Sequence, residues 1–234
     1  MKELEASNKE LEQFASVVSH DLKGPLSVVI SYINLMKKKY TDKEAKYLTE
    51  QVIQRTHNML DLIDNLLHYS RAGKVNKEDL EVCDCELILQ SATENLKIDI
   101  ESNNAKITHS PLPKIYGYKV QLISLFQNLL SNAIKYRKED PPNIHIYAKK
   151  TGENNEWLFS FKDNGIGINS KKKDKIFLIF HREKAVYDKY SGYGIGLAYC
   201  KKIVENHNGK IWVESEPDKG STFYFTINTK PVKE

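Results

Sequence analysis

From Lys2 to about Lys39 one residue pair alone, Gly24-Pro25, interrupts a stretch that otherwise permits a continuous α-helix. At about 100° per residue with Leu11 as zero, Leu4, Leu11, Ala15, Val18, Leu22, Pro25, Val29, Ile33 and Met36 fall within about 40° of one line. Val17, Val28 and Leu35, near about 250°, widen that apolar face. A polar break from Lys37 to Lys43 follows. A second helix is predicted from about Asp42 to Arg71, where Ala45, Thr49, Val52, Thr56, Met59, Ile63, Leu66 and Ser70 alternate steps of three and four, flanked by Leu48, Ile53, Leu60 and Leu67. Helices this long and one-sided need partners. Joined by a short loop they make an antiparallel hairpin, and one hairpin cannot enclose both apolar faces. Two hairpins can, so the expectation is a homodimer built on a four-helix bundle. The spacing Leu4, Leu11, Val18 is that of a coiled coil, which predicts continuation of a longer upstream helix.

Beyond Ala72-Gly73-Lys74-Val75-Asn76-Lys77 the pattern changes. Helices are expected near 85–98, 118–138 and 196–207, and strands near 80–84, 104–109, 143–151, 156–163, 209–215 and 221–229. Ile144 to Ala148 and Phe223 to Ile227 have the β-branched and aromatic bias of strands, and Pro217-Asp218-Lys219-Gly220 reads as the turn of a C-terminal hairpin. Strands with helices on one side imply a two-layer α/β sandwich. The division expected is a helical hairpin over 1–72, a linker over 73–79 and an α/β domain over 80–230. The Lys-rich stretch from about Asn169 to Ser191, with few apolar anchors, is expected to be mobile and lid-like.

No run approaches the roughly 18 to 20 apolar residues of a membrane span. The N-terminus Met1-Lys2-Glu3-Leu4-Glu5 lacks the apolar core of a secretory signal. A net charge of +4, from 35 basic and 31 acidic residues, is too balanced to point to nucleic acid. Lys37 to Lys39 and Lys171 to Lys173 read as solvated runs. Three cysteines, Cys83, Cys85 and Cys200, argue against a disulfide framework and for a reducing compartment. Cys83-Asp84-Cys85 has no second ligand pair at a suitable spacing to complete a metal site.

Four clusters could carry chemistry. His20 lies at about 180° from the apolar stripe and so faces solvent. Asp21 beside it could accept one ring proton, leaving the other nitrogen nucleophilic. Taken alone, a plain surface histidine accounts for the geometry at least as well. Gly24-Pro25 either lets the helix bend one turn later or simply breaks it. Asn128, Asn132, Lys135 and Tyr136, spaced i, i+4, i+7 and i+8, share one helical face. That face could hold a metal ion and phosphates, or be a solvated polar face. Asp163-Asn164-Gly165-Ile166-Gly167 follows a strand; its glycines let the backbone approach a flat ligand, though Asp-Asn-Gly is also a common turn. Gly192-Tyr193-Gly194-Ile195-Gly196-Leu197 opens a helix as a glycine-rich loop suited to phosphate. Its spacing is neither a Rossmann fingerprint nor a Walker loop.

In this order the clusters resemble the boxes of the sensor histidine kinases of two-component signalling, from about residue 10 to 228. Ser19 to Leu26 is similar to the H-box, Asn128 to Tyr136 to the N-box and Asp163 to Gly167 to the G1 box. Ile176 to Arg182 is similar to the F-box, Gly192 to Leu197 to the G2 box, and Gly220 to Phe223 to the last turn of the family. The resemblance implies a dimerisation and phosphoacceptor hairpin followed by a Bergerat-type ATP-binding domain. It implies ATP-dependent phosphorylation of His20 and transfer to an aspartate of a response-regulator receiver domain. Asp21 would accept the second ring proton of His20. Asn132 would hold Mg²⁺, supported by Asn128. Lys135 would contact phosphate and Tyr136 would pack near the nucleoside. Asp163 would accept from the adenine amino group. Gly165, Gly167, Gly192, Gly194 and Gly196 would shape the pocket and lid, Arg182 would reach the γ-phosphate, and Thr222 would line the adenine end. The setting implied is cytoplasmic, downstream of a sensor domain in a larger protein.

Three positions depart from the family pattern. Gly24 stands where the family often has Thr or Asn, a side chain that helps orient water when the regulator is dephosphorylated, so weak phosphatase activity is expected. Tyr193 replaces a frequent Thr, and Tyr118 replaces a usual acid. Two competing readings are a non-catalytic dimeric scaffold and another ATPase of the same superfamily, gyrase-like or chaperone-like. The latter lack the hairpin that carries His20.

Overall fold

The structure is a computed structural model that describes residues 22–24, 26–37, 43–71, 77–151, 156–169, 172–181 and 193–228. The chain divides into two compact units, 1–71 and 72–234.

In the first unit residues 22–24 and 26–37 (α1) and Lys43–Arg71 (α2) are helical. Hydroxyls inside the helices fold back on the preceding turn, as Ser27 Oγ does on the Lys23 carbonyl and Thr56 Oγ1 on that of Val52. Lys37 pairs with Glu50 at 2.8 Å, and Lys23 pairs with Asp64. Stepping back along α1 from Lys37 to Lys23 matches stepping forward along α2 from Glu50 to Asp64, so the helices run antiparallel. Both pairs are substantially solvent-exposed, and such pairs contribute at most about 1 kcal/mol each; they fix register more than stability. On α2, among the residues whose side chains are described, only Thr56, Ile63 and Ser70 are buried, one per heptad. Val28, Tyr32, Leu35, Leu48, Val52 and Met59 stay exposed, the unpaid apolar surface that the two-face pattern predicted.

The second unit opens with a 3₁₀ turn, Lys77–Asp79, and β1, Glu81–Asp84. Then follow α3 (Cys85–Asn95), α4 (Lys97–Ser102), β2 (Lys106–His109), β3 (Lys114–Gly117) and α5 (Lys119–Lys135). The chain continues through β4 (Asn143–Thr151), β5 (Glu156–Lys162), a 3₁₀ turn (Lys175–Phe177), α6 (Gly196–Asn206), β6 (Ile211–Glu216) and β7 (Gly220–Asn228). A five-stranded sheet has the order β2-β4-β5-β7-β6, with β2 and β4 parallel and the other neighbours antiparallel. β1 and β3 form a separate antiparallel pair. The helices α3, α5 and α6 cover one face, giving the two-layer sandwich.

Strand alternation builds the core. Register aligns Ile146, Phe161, Phe223 and Val213 in one row across four strands, all buried. Phe126 of α5 meets this sheet edge-on, its ring 5.0 Å from Phe161, 6.1 Å from Phe159 and 6.2 Å from Phe225. Phe159 and Phe225 stack at 4.9 Å. On the opposite face Tyr147, Ser160, Tyr224 and Trp212 form a parallel row, with Trp212 stacked on Tyr224 at 5.4 Å.

Two elements were not anticipated. β3 is four residues long, preceded by Pro111 and Pro113, and exists because β1 pairs with it. The helix expected over 85–98 instead stops at Asn95, and α4 restarts at Lys97. The helix expected to reach 138 ends at Lys135, because the carbonyl of the next residue, Tyr136, turns to accept from Ile166 N at 3.0 Å.

His207 ties the helical layer to the sheet. Its Nδ1–H donates to the Ile203 carbonyl at 2.7 Å, and its Nε2 accepts from Tyr118 N–H at 3.0 Å. Those two bonds require the neutral tautomer, and burial pushes its pKa below the usual histidine value. Tyr118, where an acid was expected before α5, lays its ring edge-on to His207 at 5.3 Å. Two other histidines have polar contacts: His109 Nδ1 lies 3.4 Å from Glu86 Oε2, and His145 Nδ1 is 2.9 Å from Thr108 Oγ1. No helix among the described residues is long and apolar enough to cross a membrane.

Candidate functional site

The site of the second unit is built where α5 ends, β5 ends, α6 begins and the β6–β7 hairpin turns. Asn128 and Asn132 lie on the half-buried side of α5, while Leu125, Leu129 and Leu130 fill the core. Asn128 Nδ2 donates to the Ser124 carbonyl at 2.8 Å, which turns its Oδ1 toward the start of α6. A Cβ on Gly196 would lie 2.7 Å from that oxygen, so glycine there permits the approach. The Asn132 side chain makes no hydrogen bond among the described residues. Its carbonyl oxygen, a hard donor suited to a cation such as Mg²⁺, is therefore open to a ligand. Lys135 Nζ sits 4.9 Å from the centre of the Tyr136 ring. Among the described residues α6 has no side-chain cap at its N-terminus, which leaves amide donors and the positive end of the helix dipole for an anion.

Asp163 is the centre of the opposite wall. Its Oδ1 accepts from Gly165 N at 2.8 Å and from Ser221 N at 3.1 Å, and its own N–H donates to the Ser221 carbonyl at 2.8 Å. Both side-chain bonds fall on one oxygen. Oδ2 accepts none among the described residues and is free to accept from a ligand. Burial raises the Asp163 pKa above the usual carboxylate value, and the two amide donors pull the other way.

The loop after Asp163 is clamped on both sides. Ile166 N bonds the Tyr136 carbonyl at 3.0 Å, and Asp218 N bonds the Ile166 carbonyl at 2.8 Å. Lys138 Nζ reaches the Asp218 carbonyl. Gly167 has φ 71° and Gly220 φ 89°, the left-handed region that favours glycine. A Cβ on Gly167 would fall 2.0 Å from the Glu216 carbonyl, and one on Gly220 2.1 Å from that of Asp163. Main chain therefore lies against main chain, leaving the inner edge shaped by backbone.

Of the residues singled out in the sequence, the structure brings Asp163, Gly165 and Gly167 together with Tyr136, and Asn128 together with Gly196. Gly194, φ 72°, accepts from Phe180 N at 2.9 Å through its carbonyl. His181, next to Phe180, has a buried Nε2 without a hydrogen-bond partner among the described residues. Thr222 lies on the face of β7 opposite Ser221, in register with Lys162 and Glu214; Ser221 is the residue that meets Asp163. His20, Asp21, Arg182 and Gly192 lie outside the described residues. No group of three His, Cys, Asp or Glu side chains among the described residues could hold a metal, and burial pushes the Cys83 thiol up to about 11.

The sequence reading missed a buried hydroxyl pair. Ser215 Oγ donates to the Gly220 carbonyl at 2.9 Å, accepts from Ile168 N at 2.8 Å and lies 2.8 Å from Ser221 Oγ. A serine in a strand carries no signature of such a role; only its position five residues before the glycine of the turn could have drawn notice.

Two family models match the chain: His Kinase A (phospho-acceptor) domain over residues 10–74, and histidine kinase-, DNA gyrase B- and HSP90-like ATPase over 117–231. Among curated proteins the chain is 45% identical over 230 residues to cyanobacterial phytochrome A of Nostoc sp., covering 96% of this chain and 29% of that protein. It is 30% identical over 235 residues to the sensor protein kinase WalK of Staphylococcus aureus, covering 97% of this chain and 55% of the relative. The chain thus spans about a third to a half of the length of these relatives. Among solved structures, full-length ShkA in complex with AMPPNP superposes with a TM-score of 0.72 at 22% identity, over 94% of this chain and 47% of that one. Histidine kinase ThkA in complex with response regulator protein TrrA gives 0.66 at 21% identity, over 100% of this chain and 67% of that one; both likenesses concern the fold. By its two domain models, in the order its own motifs take, the chain belongs to the sensor histidine kinases of two-component systems, joining an H-box phospho-acceptor domain to a GHKL-type ATPase domain.

Proposed function

We propose that this chain is the catalytic core of a sensor kinase that moves the γ-phosphoryl group of ATP to His20 and then to an aspartate of a response-regulator receiver domain. The observation that carries the reading is Asp163: one carboxylate oxygen is pinned by two main-chain amides and the other is left open at a glycine-lined edge. An acceptor held that way suits the amino group of adenine. It rejects guanine, which presents a carbonyl at the same place, because a buried acceptor left unpaired is costly.

Asn132 would hold Mg²⁺, with Asn128 behind it, and the ion would supply neutralisation of phosphate charge. Lys135 and the uncapped start of α6 would hold the phosphates, with Gly192, Gly194 and Arg182 on the lid side and Thr222 at the adenine end. Tyr136 would pack beside the nucleoside. Asp21 would take one ring proton of His20, so that the other nitrogen attacks the γ-phosphorus as the bond to the β,γ-bridging oxygen breaks and ADP leaves. The protein's part is positioning and charge placement.

The exposed apolar face of the hairpin supports a homodimer, and the N-terminal heptad spacing supports an upstream sensor domain. Three free, buried cysteines are compatible with a cytoplasmic setting. The test is incubation of the chain with γ-labelled ATP and Mg²⁺ beside His20→Ala. An acid-labile, alkali-stable label on the parent and none on the variant is expected. An unlabelled parent would leave a non-catalytic dimeric scaffold as the better account.

A further inference from the structure

We infer that Ser215 is a positioning residue for adenine recognition, acting through Ser221 and the loop after Asp163. The inference rests on the nucleotide reading of the Asp163 site and adds to it the group that aims the carboxylate.

The bonding inventory of Ser215 is complete. A hydroxyl has one proton to donate and two lone pairs. Ser215 gives its proton to the Gly220 carbonyl, takes the N–H of Ile168, and its remaining lone pair faces Ser221 Oγ. The proton of that last contact therefore comes from Ser221. Ser215 and Ser221 are each 7% exposed, so water is a poor substitute for any lost partner. The three groups held are the end of the loop that begins at Asp163, the glycine whose main chain abuts the Asp163 carbonyl, and the residue whose N–H binds Asp163 Oδ1. Ser215 itself is beyond hydrogen-bond contact with Asp163; it sets the orientation of the carboxylate by fixing what surrounds it.

Replacing Ser215 with Ala removes a hydrogen-bond partner from Ile168 N–H, the Gly220 carbonyl and the Ser221 hydroxyl together. The carboxylate keeps its charge and loses its alignment, so the loss falls on the base and not on the phosphates. Thr keeps the hydroxyl and should keep the alignment.

The experiment is calorimetric titration of the full chain with Mg-ADP and Mg-GDP, for the parent, Ser215→Ala, Ser215→Thr and Ser221→Ala. The parent should favour ADP by about tenfold or more, as expected of a site that pairs a polar group of its ligand. Ser215→Ala should narrow that preference by about fivefold or more, mainly through weaker ADP binding with GDP changed by less than about twofold. Ser215→Thr should retain the parental ratio. A purely structural role would weaken both nucleotides alike or neither, and an unchanged ratio in Ser215→Ala overturns the inference. Should that variant fail to fold, Ser221→Ala serves in its place, and an unchanged ratio there is equally fatal. A parent that binds ADP without preference over GDP, or not at all, refutes the nucleotide reading itself.

Discussion

Asp163 carries a cost in the unliganded protein. Its pKa is raised by burial, so the folded state prefers the protonated form more than the unfolded chain does. Stability from this group is fully present below the unfolded pKa of about 3.9 and is lost as pH rises through the higher folded value. At neutral pH the ionised carboxylate is therefore a net penalty. Asp163→Asn keeps an oxygen for the Gly165 and Ser221 amides and removes the charge. Thermal melts of the variant should show a midpoint equal to or above the parent's, while calorimetry shows ADP affinity weakened by about tenfold or more. A variant less stable than its parent would contradict the burial argument. At Gly24 the helix has open space: an added Cβ meets nothing within 4 Å. Gly24→Thr should fold as the parent does and accelerate loss of phosphate from a phosphorylated regulator by about tenfold, an acceleration absent if water is not oriented from this position. These residues were legible because their chemistry demands a residue type: a carboxylate, an asparagine, a glycine. Ser215 and Ser221 were not, since their importance comes from three partners brought together only by the β6–β7 hairpin.

At the scale of elements, legibility tracked length and periodicity. The nine-residue strands β4 and β7 announced themselves by their β-branched and aromatic residues, whereas β3 has four residues and depends on a partner strand some thirty residues upstream, β1. The joint between Tyr118 and His207 was hidden for the same reason: its members are 89 residues apart. It has a measurable signature. With the folded pKa of His207 depressed by burial, the unfolded chain takes up a proton first as pH falls. Stability is full above about pH 6.5 and declines below it toward the folded pKa, with a slope approaching about 1.4 kcal/mol per pH unit. His207→Gln can still donate to Ile203 and accept from Tyr118 but does not titrate. Urea unfolding of the variant from pH 7 to 5 should lack the part of the decline due to His207; identical pH profiles for variant and parent would remove His207 as its source.

For the whole molecule the decisive quantity is the apolar surface that the hairpin leaves uncovered. Leu48, Val52 and Met59 are 55%, 46% and 51% exposed on α2, too much for a helix working alone. Val52→Lys combined with Met59→Lys should shift sedimentation from dimer to monomer at micromolar concentration and abolish label transfer to His20 if the transfer crosses the dimer. ADP binding by the second unit should stay within about twofold of the parent, because its core is built separately. A double variant that still sediments as a dimer would place the interface elsewhere. This large-scale expectation needed only the counting of apolar positions against the surface one hairpin can hide.

The meeting of Gly167 with Glu216, and of Gly220 with Asp163, is made by main-chain atoms. Contacts of that kind are indifferent to the side chains that flank them. In a saturation scan the edge of the pocket should therefore divide sharply. Glu216 and Lys219, whose exposed ion pair spans the turn, should accept most residues, and Asp218, at φ 63°, should accept chiefly Asn and Gly. Gly167 and Gly220 should accept nothing, since one extra carbon at either has nowhere to go. The pocket can thus diverge widely in composition around two fixed points without changing shape, which makes those two glycines better markers of an intact site than any charged residue near them.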